Sequence, residues 1–567
     1  MKRFNTTGIC VPELHYMVDL TERVKEIKAM VDHGDCFCVN RGHQYGKTTT
    51  LEALRKALDN DYLVLPLSFE NIGNTPFEDE NLLNFTFMGI IGDLLEDGIA
   101  KNATPELSAF VKECLKESGG KIPMNELDRQ IKGLCRKSQK PIVLIIDEVD
   151  QASNYESFLK FLGVLRTKYL KRMLEPTFHS VILAGVYNIK NLKAKIPSDG
   201  THQYNSPWNI AVDFDIRMEL SQDGIVGMLK DYENDHHTGM DIQQMASMLF
   251  DYSGGYPFLV SRLCQIMDEK LTGMSGFPDL ASCWTKEGFL SAEKIMFDKT
   301  NTLFDDLAKK TDDNPELKSL FIDILFGGEQ IRYSPYDKAQ SLGLMFNFIK
   351  NNNGFLAISN RIFETFLCNV FTYEMEKKDK SFRVAANDER NQFIKGKRLD
   401  MEAVLNRFRI HYKDTFEVRR AQRGSRLDEE DARICFLMFL IPIINGTGHY
   451  YIETGLVDRS RMDVVVDYNG EQFVVELKIW RGQAYHDNGI EQLCGYLDTM
   501  HTQKGYLLTF NFNKRKSTGT QTRQCGDKTI VEVMVLFAWL HNRSLILSLH
   551  LIHSLNIYLG KTIIEII

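Results

Sequence analysis

The feature that most constrains the fold is a glycine-lysine-threonine turn, Gly46-Lys47-Thr48, between two apolar segments. The run Cys36–Val39 before it predicts a short buried strand, and Thr49–Leu58 after it predicts a helix with leucines along one side. Strand, loop and helix in this order predict a phosphate-binding loop, in which backbone N–H groups hold phosphate oxygens. Lys47 would then reach the terminal phosphates of a nucleotide, and the Thr48 hydroxyl would hold Mg²⁺.

The loop departs from its usual pattern at one position. The first glycine would fall at position 41, where this chain has Arg41, and Gly42 follows one place later. The predicted nucleotide-binding residues of the loop are Gly42, Gly46, Lys47, Thr48 and Thr49. The alternative is a chance Gly-Lys-Thr on an ordinary strand-to-helix turn, and residues further along the chain decide between the two.

Length and composition limit the class of protein. A chain of 567 residues is too long for one core, so we expect two to four domains. A net charge of −8 argues against a generic nucleic-acid coat, so any nucleic-acid contact must be local. The eleven cysteines form no C-x-x-C pair, which favours reduced core thiols over zinc or disulfides. Since no signal-like or membrane-spanning segment precedes the last thirty residues, we expect a cytoplasmic protein without a membrane partner.

A second strand supplies the acidic partner of the loop. The apolar run Pro141–Ile146 ends in Asp147 and Glu148, about a hundred residues after the lysine. A parallel sheet would place Asp147 near the Mg²⁺ water shell and Glu148 where it can polarise the water that attacks the γ-phosphate of ATP. An apolar strand with a solvated acidic end is the alternative, and the upstream Gly-Lys-Thr weighs against it.

Two further features follow the loop and the two carboxylates: a strand, Ser180–Val186, that ends near Asn188, and a Gly-Tyr-Pro run at 255–257. With them, the front half resembles AAA-like ATPases of the STAND group of P-loop NTPases. Asn188 is a candidate sensor of the γ-phosphate, or it simply opens a turn. The resemblance implies that Gly-x-Pro lies in a helical lid close to the nucleotide.

The middle of the chain suggests a winged helix followed by a basic segment. Two predicted helices, Glu316–Leu325 and Tyr336–Leu342, precede apolar strands at 344–348 and 355–359 that an Asn-Gly turn joins. A structural role is favoured over DNA reading, since the second helix is poor in arginine. Residues 383–426 then hold twelve Lys and Arg against six acids. They form either a solvated helical linker or a guide for a phosphate backbone.

A hairpin in the back half carries a second group of chemical residues. Asn469-Gly470 between alternating apolar runs predicts a two-residue turn, which would pair Tyr468 with Glu471. Counting back, Asp463 lies opposite Glu476, with about 5 Å between their Cβ atoms. Two opposed carboxylates repel unless a divalent cation lies between them, so this pair predicts a site for Mg²⁺ or Mn²⁺. Lys478, on the same face, would orient a water or stabilise phosphorane charge.

These residues are similar to the active-site pattern of the PD-(D/E)XK nuclease superfamily. Asp463, Glu476 and Lys478 match its core, although Met462 stands where proline is common, and Gln492 with Tyr496 matches the Gln-x-x-x-Tyr motif of its exonuclease-like branch. Glu453, ranked slightly above Glu430, is a further candidate metal ligand. The resemblance implies that Gln492 and Tyr496 contact the substrate or orient the metal shell. Together, the two halves resemble a bacterial family of AAA-like ATP-binding proteins with a C-terminal nuclease domain.

We therefore expect an α/β multidomain protein: a parallel P-loop NTPase sheet with a helical lid, a winged-helix middle and a C-terminal α/β restriction-endonuclease-like domain. The expected divisions are an ATPase core (1–220), a lid (221–300), a winged-helix-like domain (301–380), a basic linker (381–426), a nuclease-like domain (427–535) and an unassigned apolar tail (536–567).

The expected function is an ATPase that regulates a metal-dependent nuclease. ATP binds at Gly46, Lys47, Thr48 and Asp147, and DNA is favoured over RNA as the nucleic-acid substrate. A homo-oligomer is left open. The main alternative is a nucleotide-dependent switch that binds nucleic acid or protein through a catalytically silent nuclease fold. A transcription regulator that reads DNA with its winged helix ranks third, because base-reading arginines are lacking there.

Overall fold

The structure, a computed structural model, describes residues 2–70, 72–186, 208–326, 331–378, 380–423, 429–444, 448–451, 464–480, 482–499, 502–511 and 519–536. The chain forms two compact units. The first comprises Met1–Ile324 and Gln330–Phe366, and the second comprises Leu325–Glu329 and Leu367–Ile567.

The front of the first unit alternates strands and helices. Its elements are α1 (Thr21–Asp32), β1 (Cys36–Asn40), α2 (Lys47–Leu58), β2 (Leu63–Ser68), α3 (Thr75–Glu78), α4 (Glu80–Glu96), α5 (Pro105–Glu117), α6 (Met124–Lys137), β3 (Ile142–Asp147), a 3-10 helix (Val149–Ala152), α7 (Glu156–Leu170) and β4 (Ser180–Gly185).

These four strands form a parallel sheet in the order β1-β4-β3-β2. Every residue of β3 and β4 is buried, as expected for parallel strands covered on both faces. A large apolar cluster joins the sheet to α4–α7. Pro66 lies in β2, the strand at one end of the order, where a residue without an N–H is tolerated. The strands predicted at Cys36–Val39, Pro141–Ile146 and Ser180–Val186 and the loop helix are confirmed to within a few residues.

Helices dominate the rest of the first unit. In chain order the helices and two short strands that follow are α8 (Gln222–His236), α9 (Ile242–Ser253), α10 (Pro257–Glu269), α11 (Leu280–Cys283), α12 (Lys286–Phe297), α13 (Thr302–Asp313), α14 (Pro315–Phe326), α15 (Lys338–Met345), β5 (Ile349–Asn352), β6 (Phe355–Ile358) and α16 (Arg361–Lys378). The end of α14 and the greater part of α16 belong to the second unit. Gly254 ends α9 in a left-handed conformation, and Pro257 begins α10, because each residue suits that position.

The region predicted as a winged helix has the expected order of two helices and a hairpin, with one correction. Residues 344–348 do not form the first strand, since α15 continues to Met345 and β5 begins only at Ile349. The pairing Asn352↔Phe355 leaves Asn353 and Gly354 as the turn, and both have a positive φ. The assignment as a winged helix stays a prediction.

The second unit is built on a mixed sheet. Its elements are α17 (Ser381–Phe393), β7 (Ile394–Lys395), β8 (Arg398–Leu399), α18 (Met401–Arg423), α19 (Glu429–Ile444), β9 (Gly448–Tyr451), β10 (Val464–Tyr468), β11 (Glu471–Ile479), α20 (Gln483–Thr499), β12 (Lys504–Asn511), β13 (Gly519–Cys525) and β14 (Lys528–Leu536). The sheet has the order β13-β14-β12-β11-β10-β9, in which β11, β12 and β14 are parallel.

The basic segment predicted as a linker is part of this second unit. Over 381–423 it forms α17, a small hairpin and α18, in which Phe408 and Tyr412 are buried. The Phe408 ring lies 5.3 Å from Phe436 of α19 and 6.3 Å from Phe510 of β12, measured between centroids. These contacts pack α18 and α19 onto the sheet.

Within the described residues, no helix is long and apolar enough to cross a bilayer.

Candidate functional site

The phosphate-binding loop lies at the carboxyl end of β1, where Gly46 opens α2 in a left-handed conformation with a φ of 76°. Lys47 is buried, and its Nζ donates hydrogen bonds to the carbonyl oxygens of Arg41 and Gly42, at 3.0 and 3.1 Å. Burial lowers the pKa of Lys47, and the carboxylates of Glu148, Asp150 and Asp147 oppose that shift. The loop thus surrounds a cation that can exchange backbone carbonyls for phosphate oxygens.

A hydroxyl and a carboxylate meet beside this lysine. Thr48 Oγ1, in the first turn of α2, donates to Asp147 Oδ2, at the end of β3, across 2.9 Å. Parallel strands end at the same edge of a sheet, which is why residues 99 positions apart come together. Both groups offer the oxygen ligands that Mg²⁺ prefers, so the residues present fit this ion.

Glu148 has an unusual backbone and a perturbed carboxyl group. Its φ of 54° is left-handed, a conformation that costs a non-glycine residue about 1–2 kcal/mol. Burial raises the pKa of Glu148, and the neighbouring Asp147 carboxylate raises it further. Strained backbone and a raised pKa are both typical of catalytic acids and bases.

The arginine at the position of the missing glycine is accommodated without strain. The non-glycine residues with a positive φ include Gln44 of the same loop but not Arg41. The Arg41 side chain turns away from the loop, and its guanidinium donates to the carbonyl oxygens of Asn40, at 2.8 Å, and Ile216, at 3.1 Å. The departure therefore leaves the loop backbone intact.

Gly42 is needed where it stands because another segment touches the loop there. A Cβ at this position would lie 2.7 Å from the carbonyl oxygen of Phe346. The Gly42 N–H donates to Asn347 Oδ1 across 3.0 Å, and Asn347 itself has a left-handed φ of 59°. The turn that follows α15 is thus docked on the phosphate-binding loop.

The predicted lid motif also contacts the loop. The Tyr256 hydroxyl donates to the carbonyl oxygen of His43. The Pro257 side chain lies 3.8 Å from the position that a Cβ on Gly46 would take, and Gln44 Nε2 donates to Thr302 Oγ1 at 2.8 Å. The loop is therefore covered by the beginnings of α10 and α13.

Asp150 is a site residue that the sequence reasoning missed. Its Oδ2 accepts the Val186 N–H at 2.6 Å, and a Cβ on Gly185 would lie 2.9 Å from both of its carboxylate oxygens. Asp150 thus ties the end of β4 to the turn after β3. The sequence feature that could have identified Asp150 is its place as the third carboxylate in the run Asp147-Glu148-Val149-Asp150. Asn188, the predicted sensor, lies outside the described residues.

A cavity of about 560 Å³ lies alongside α2, next to the loop. Its lining residues include Pro12, His15, Val24, Thr49, Ala53 and Asp231. Thr49 Oγ1 accepts the Cys10 N–H at 3.1 Å, and the Tyr16 hydroxyl donates to Asp235 of α8 at 2.7 Å. The N-terminal segment is thereby fastened to both α2 and α8. No motif within residues 2–20 pointed to this cavity.

In the second unit, the hairpin has the predicted register. Tyr468 pairs with Glu471 across Asn469 and Gly470, which both have a positive φ, and the pairing continues to Val464↔Val475. The next pair in this register would be Asp463 and Glu476. Asp463 lies outside the described residues, as does Glu453.

Glu476 and Lys478 form an ion pair on one face of β11. Lys478 Nζ lies 2.8 Å from Glu476 Oε1, which is fully buried. A Cβ on Gly489 of α20 would lie 3.6 Å from Lys478 Cγ, so this helix passes directly over the lysine stem. The two residues share a face because they are two positions apart in a strand.

The other predicted residues of this site have different environments. Gln492 and Tyr496 both lie in α20, but Gln492 is exposed and Tyr496 is buried with Val474 and Leu493. A buried pair was missed by the sequence reasoning: His486 Nε2 lies 3.0 Å from Glu532 Oε1, on α20 and β14. Among the described residues, no cluster of three or more His, Cys, Asp or Glu side chains is arranged to hold a metal.

No protein-family model matches the sequence, and no curated protein matches it. Among solved structures, the chain is similar to the Walker-type ATPase paby2304 of Pyrococcus abyssi, with a TM-score of 0.45 and 12% identity over 64% of this chain and 99% of that one. It is also similar to the Aeropyrum pernix ORC1 protein in complex with DNA (TM-score 0.29, 10% identity, 62% and 93% covered). A third is the Aeropyrum pernix ORC2 protein (TM-score 0.34, 12% identity, 66% and 98% covered). At these TM-scores and identities, the similarities add no argument to the one drawn from the geometry of the site.

Proposed function

We propose that the first unit binds and hydrolyses ATP. One observation carries this proposal: the 2.9 Å hydrogen bond from Thr48 to Asp147, beside a buried Lys47 that points into its own loop. In an ordinary strand-to-helix turn, burying a lysine among backbone carbonyls would be unfavourable, since burial disfavours the charge of its ammonium. A phosphate-binding loop gains from that arrangement, because the same ammonium meets the phosphate oxygens.

Each residue then has a defined task. Backbone N–H groups at the start of α2 hold the phosphates, and Lys47 stabilises the negative charge that develops on the γ-phosphate. Thr48 and Asp147 would hold Mg²⁺, which supplies charge neutralisation when bound. Glu148 orients and polarises the attacking water, a role that suits its raised pKa.

The cavity beside α2 is the proposed site for the nucleoside. Thr49, which directly follows the proposed magnesium ligand Thr48, is among its lining residues, and these are both apolar and polar. A base of a nucleotide whose phosphates lie on the loop would extend in this direction along α2.

We further propose that the second unit is a metal-dependent phosphodiesterase that acts on nucleic acid, with DNA favoured. Support comes from the Glu476–Lys478 pair, from the hairpin register that leads toward Asp463, and from the resemblance of these residues to PD-(D/E)XK nucleases. Asp463, Glu476 and Glu453 would hold Mg²⁺ or Mn²⁺, and Lys478 would stabilise the transition state. Regulation of this activity by ATP is proposed because both sites belong to one chain.

The alternative is a nucleotide-dependent switch with a silent second unit. One observation favours it: the Glu476 side chain has no exposed surface and is paired with Lys478, so a metal would have to displace that contact.

Cleavage assays separate the two. Labelled single- and double-stranded DNA and RNA are incubated with Mg²⁺ or Mn²⁺, with and without ATP. Glu476→Gln should abolish cleavage, while Glu532→Gln, which changes another buried carboxylate of the same sheet, should retain it. If the unmodified protein cuts no substrate while its ATP turnover is intact, the nucleotide-dependent switch is the remaining function.

The ATPase is tested separately with Lys47→Met. Binding and turnover of ATP should be lost, because the ammonium that would meet the phosphate oxygens is removed. The matched control is Lys168→Met, which removes a buried lysine that pairs with Asp128 at 2.8 Å in the same unit. Equal loss of ATP binding in both variants would refute the assignment of Lys47.

A further inference from the structure

Residues 213–220, here called the connector segment, lead from the sheet to α8. Just before the segment, the Val212 N–H donates to the Cys36 carbonyl oxygen of β1 across 2.8 Å. The segment ends beside the lid, where the Leu220 N–H donates to the Gly255 carbonyl oxygen, also across 2.8 Å. The approach there is so close that a Cβ on Gly255 would lie 2.2 Å from the Leu220 carbonyl oxygen. The connector segment therefore joins the sheet to the turn between α9 and α10.

Two side chains of the phosphate-binding loop hold this segment. The Arg41 guanidinium donates to the Ile216 carbonyl oxygen at 3.1 Å, and its central carbon lies 5.7 Å from the centre of the Phe214 ring. The Tyr45 hydroxyl donates to Glu219 Oε1 at 2.8 Å. Tyr45 is buried, and its ring also meets that of Tyr256 edge-on, with 4.6 Å between the centroids.

The contacts continue back to the phosphate-binding lysine. Lys47 donates to the carbonyl oxygen of Arg41, the same residue whose side chain holds Ile216. When Lys47 turns to a bound phosphate, the Arg41 carbonyl loses that partner, so the backbone of the first loop residue must adjust. The guanidinium donates to Asn40 and Ile216 through two different nitrogens, and its rigid plane transmits such a shift better than a flexible ammonium would.

We propose that Arg41 and Tyr45 are positioning residues that relay nucleotide occupancy of the loop through the connector segment to the lid turn at Gly255. The inference rests on the proposed ATP binding. It also gives Arg41 a task at a position where the usual motif has glycine: the side chain is there to hold the connector segment.

The test uses the full-length protein and three variants. Tyr45→Phe removes only the hydroxyl that binds Glu219, and Arg41→Gly removes the guanidinium while restoring the glycine of the motif. The matched control is Tyr62→Phe, which deletes another buried tyrosine hydroxyl, bound to Asp32 at 2.9 Å away from the loop. Affinity for ATP, turnover, and hydrogen exchange of peptides 213–220 and 254–260 are measured with and without ATP.

ATP should slow exchange in both peptides of the parent and of Tyr62→Phe. In Tyr45→Phe and Arg41→Gly, the affinity should change by less than about fivefold, the worth of one ordinary hydrogen bond. The ATP-dependent protection should be lost, and kcat should fall by about tenfold, as coupling energies of this kind allow.

Unchanged protection in Tyr45→Phe would overturn the relay, even if Arg41→Gly fails to fold. Tighter ATP binding with full turnover in Arg41→Gly would also overturn it, because the arginine would then be only a tolerated departure. A parent that binds no ATP is a different result, since it removes the proposed function itself.

Discussion

Replacing Gly42 with alanine should loosen the first unit by pushing the turn after α15 off the phosphate-binding loop. The added Cβ would lie 2.7 Å from the Phe346 carbonyl oxygen, and a retreat of about 0.7 Å restores ordinary contact. That retreat stretches the 3.0 Å hydrogen bond from Gly42 to Asn347 beyond a useful length. Overpacking costs about 1–3 kcal/mol and the lost bond about 1 kcal/mol, so we expect destabilisation of about 2–4 kcal/mol.

Urea unfolding with pulsed hydrogen exchange and mass spectrometry measures this effect, because peptides of the two units are then followed separately. The control is Gly163→Ala in α7, where a Cβ meets nothing within 4 Å. It should stabilise the unit by about 0.5–1 kcal/mol, since alanine is the better helix former. An unfolding free energy of Gly42→Ala equal to that of the parent would refute the docking of the turn on the loop.

Three further outcomes are expected. Glu148→Gln should keep ATP binding and lower turnover by about a hundredfold or more. Because the folded-state pKa of Glu148 is raised, turnover of the unmodified protein should rise with pH over a range above the usual pKa of a glutamate. The stability that the protonated carboxyl contributes is lost as the pH rises through that folded-state pKa. Chelation of divalent cations should stop turnover and also lower ATP affinity, measured by calorimetry, because Thr48 and Asp147 then meet the phosphates without a cation. Gly470→Ala should destabilise only peptides of the second unit, by about 1–2 kcal/mol, because its φ is 80° and an alanine there is strained. A Cβ at this position meets no neighbour, so no clash adds to that cost.

Local patterns made part of this structure predictable. The strands of the first sheet are continuous apolar runs, and the loop between β1 and α2 is marked by Gly46-Lys47-Thr48. The hairpin register of β10 and β11 follows from Asn469-Gly470 alone, because that dipeptide favours one turn type. In each case, neighbours in sequence determine the conformation.

Contacts between distant residues were not predictable in this way. Gly42 is hydrogen-bonded to Asn347, 305 positions away in sequence, and no local sequence pattern indicates such a pair. The assignment of 381–426 as a linker gave weight to its charges, whereas Phe408 and Tyr412, spaced one helical turn apart, mark a face that the structure buries. Strands β12 and β13 were not predicted, although Tyr506–Phe510 is an apolar run next to a glycine.

The strand order of the first sheet also bears on how the protein is made. β1 pairs with β4, and the partners Cys36 and Val181 are about 145 residues apart in sequence. At a synthesis rate of about 5–20 residues per second, β1 leaves the ribosome roughly 7 to 30 seconds before its partner. During that interval the apolar strand that supports the phosphate-binding loop has nowhere to pair, so a nascent chain that stops before residue 180 should require chaperones and bind no nucleotide.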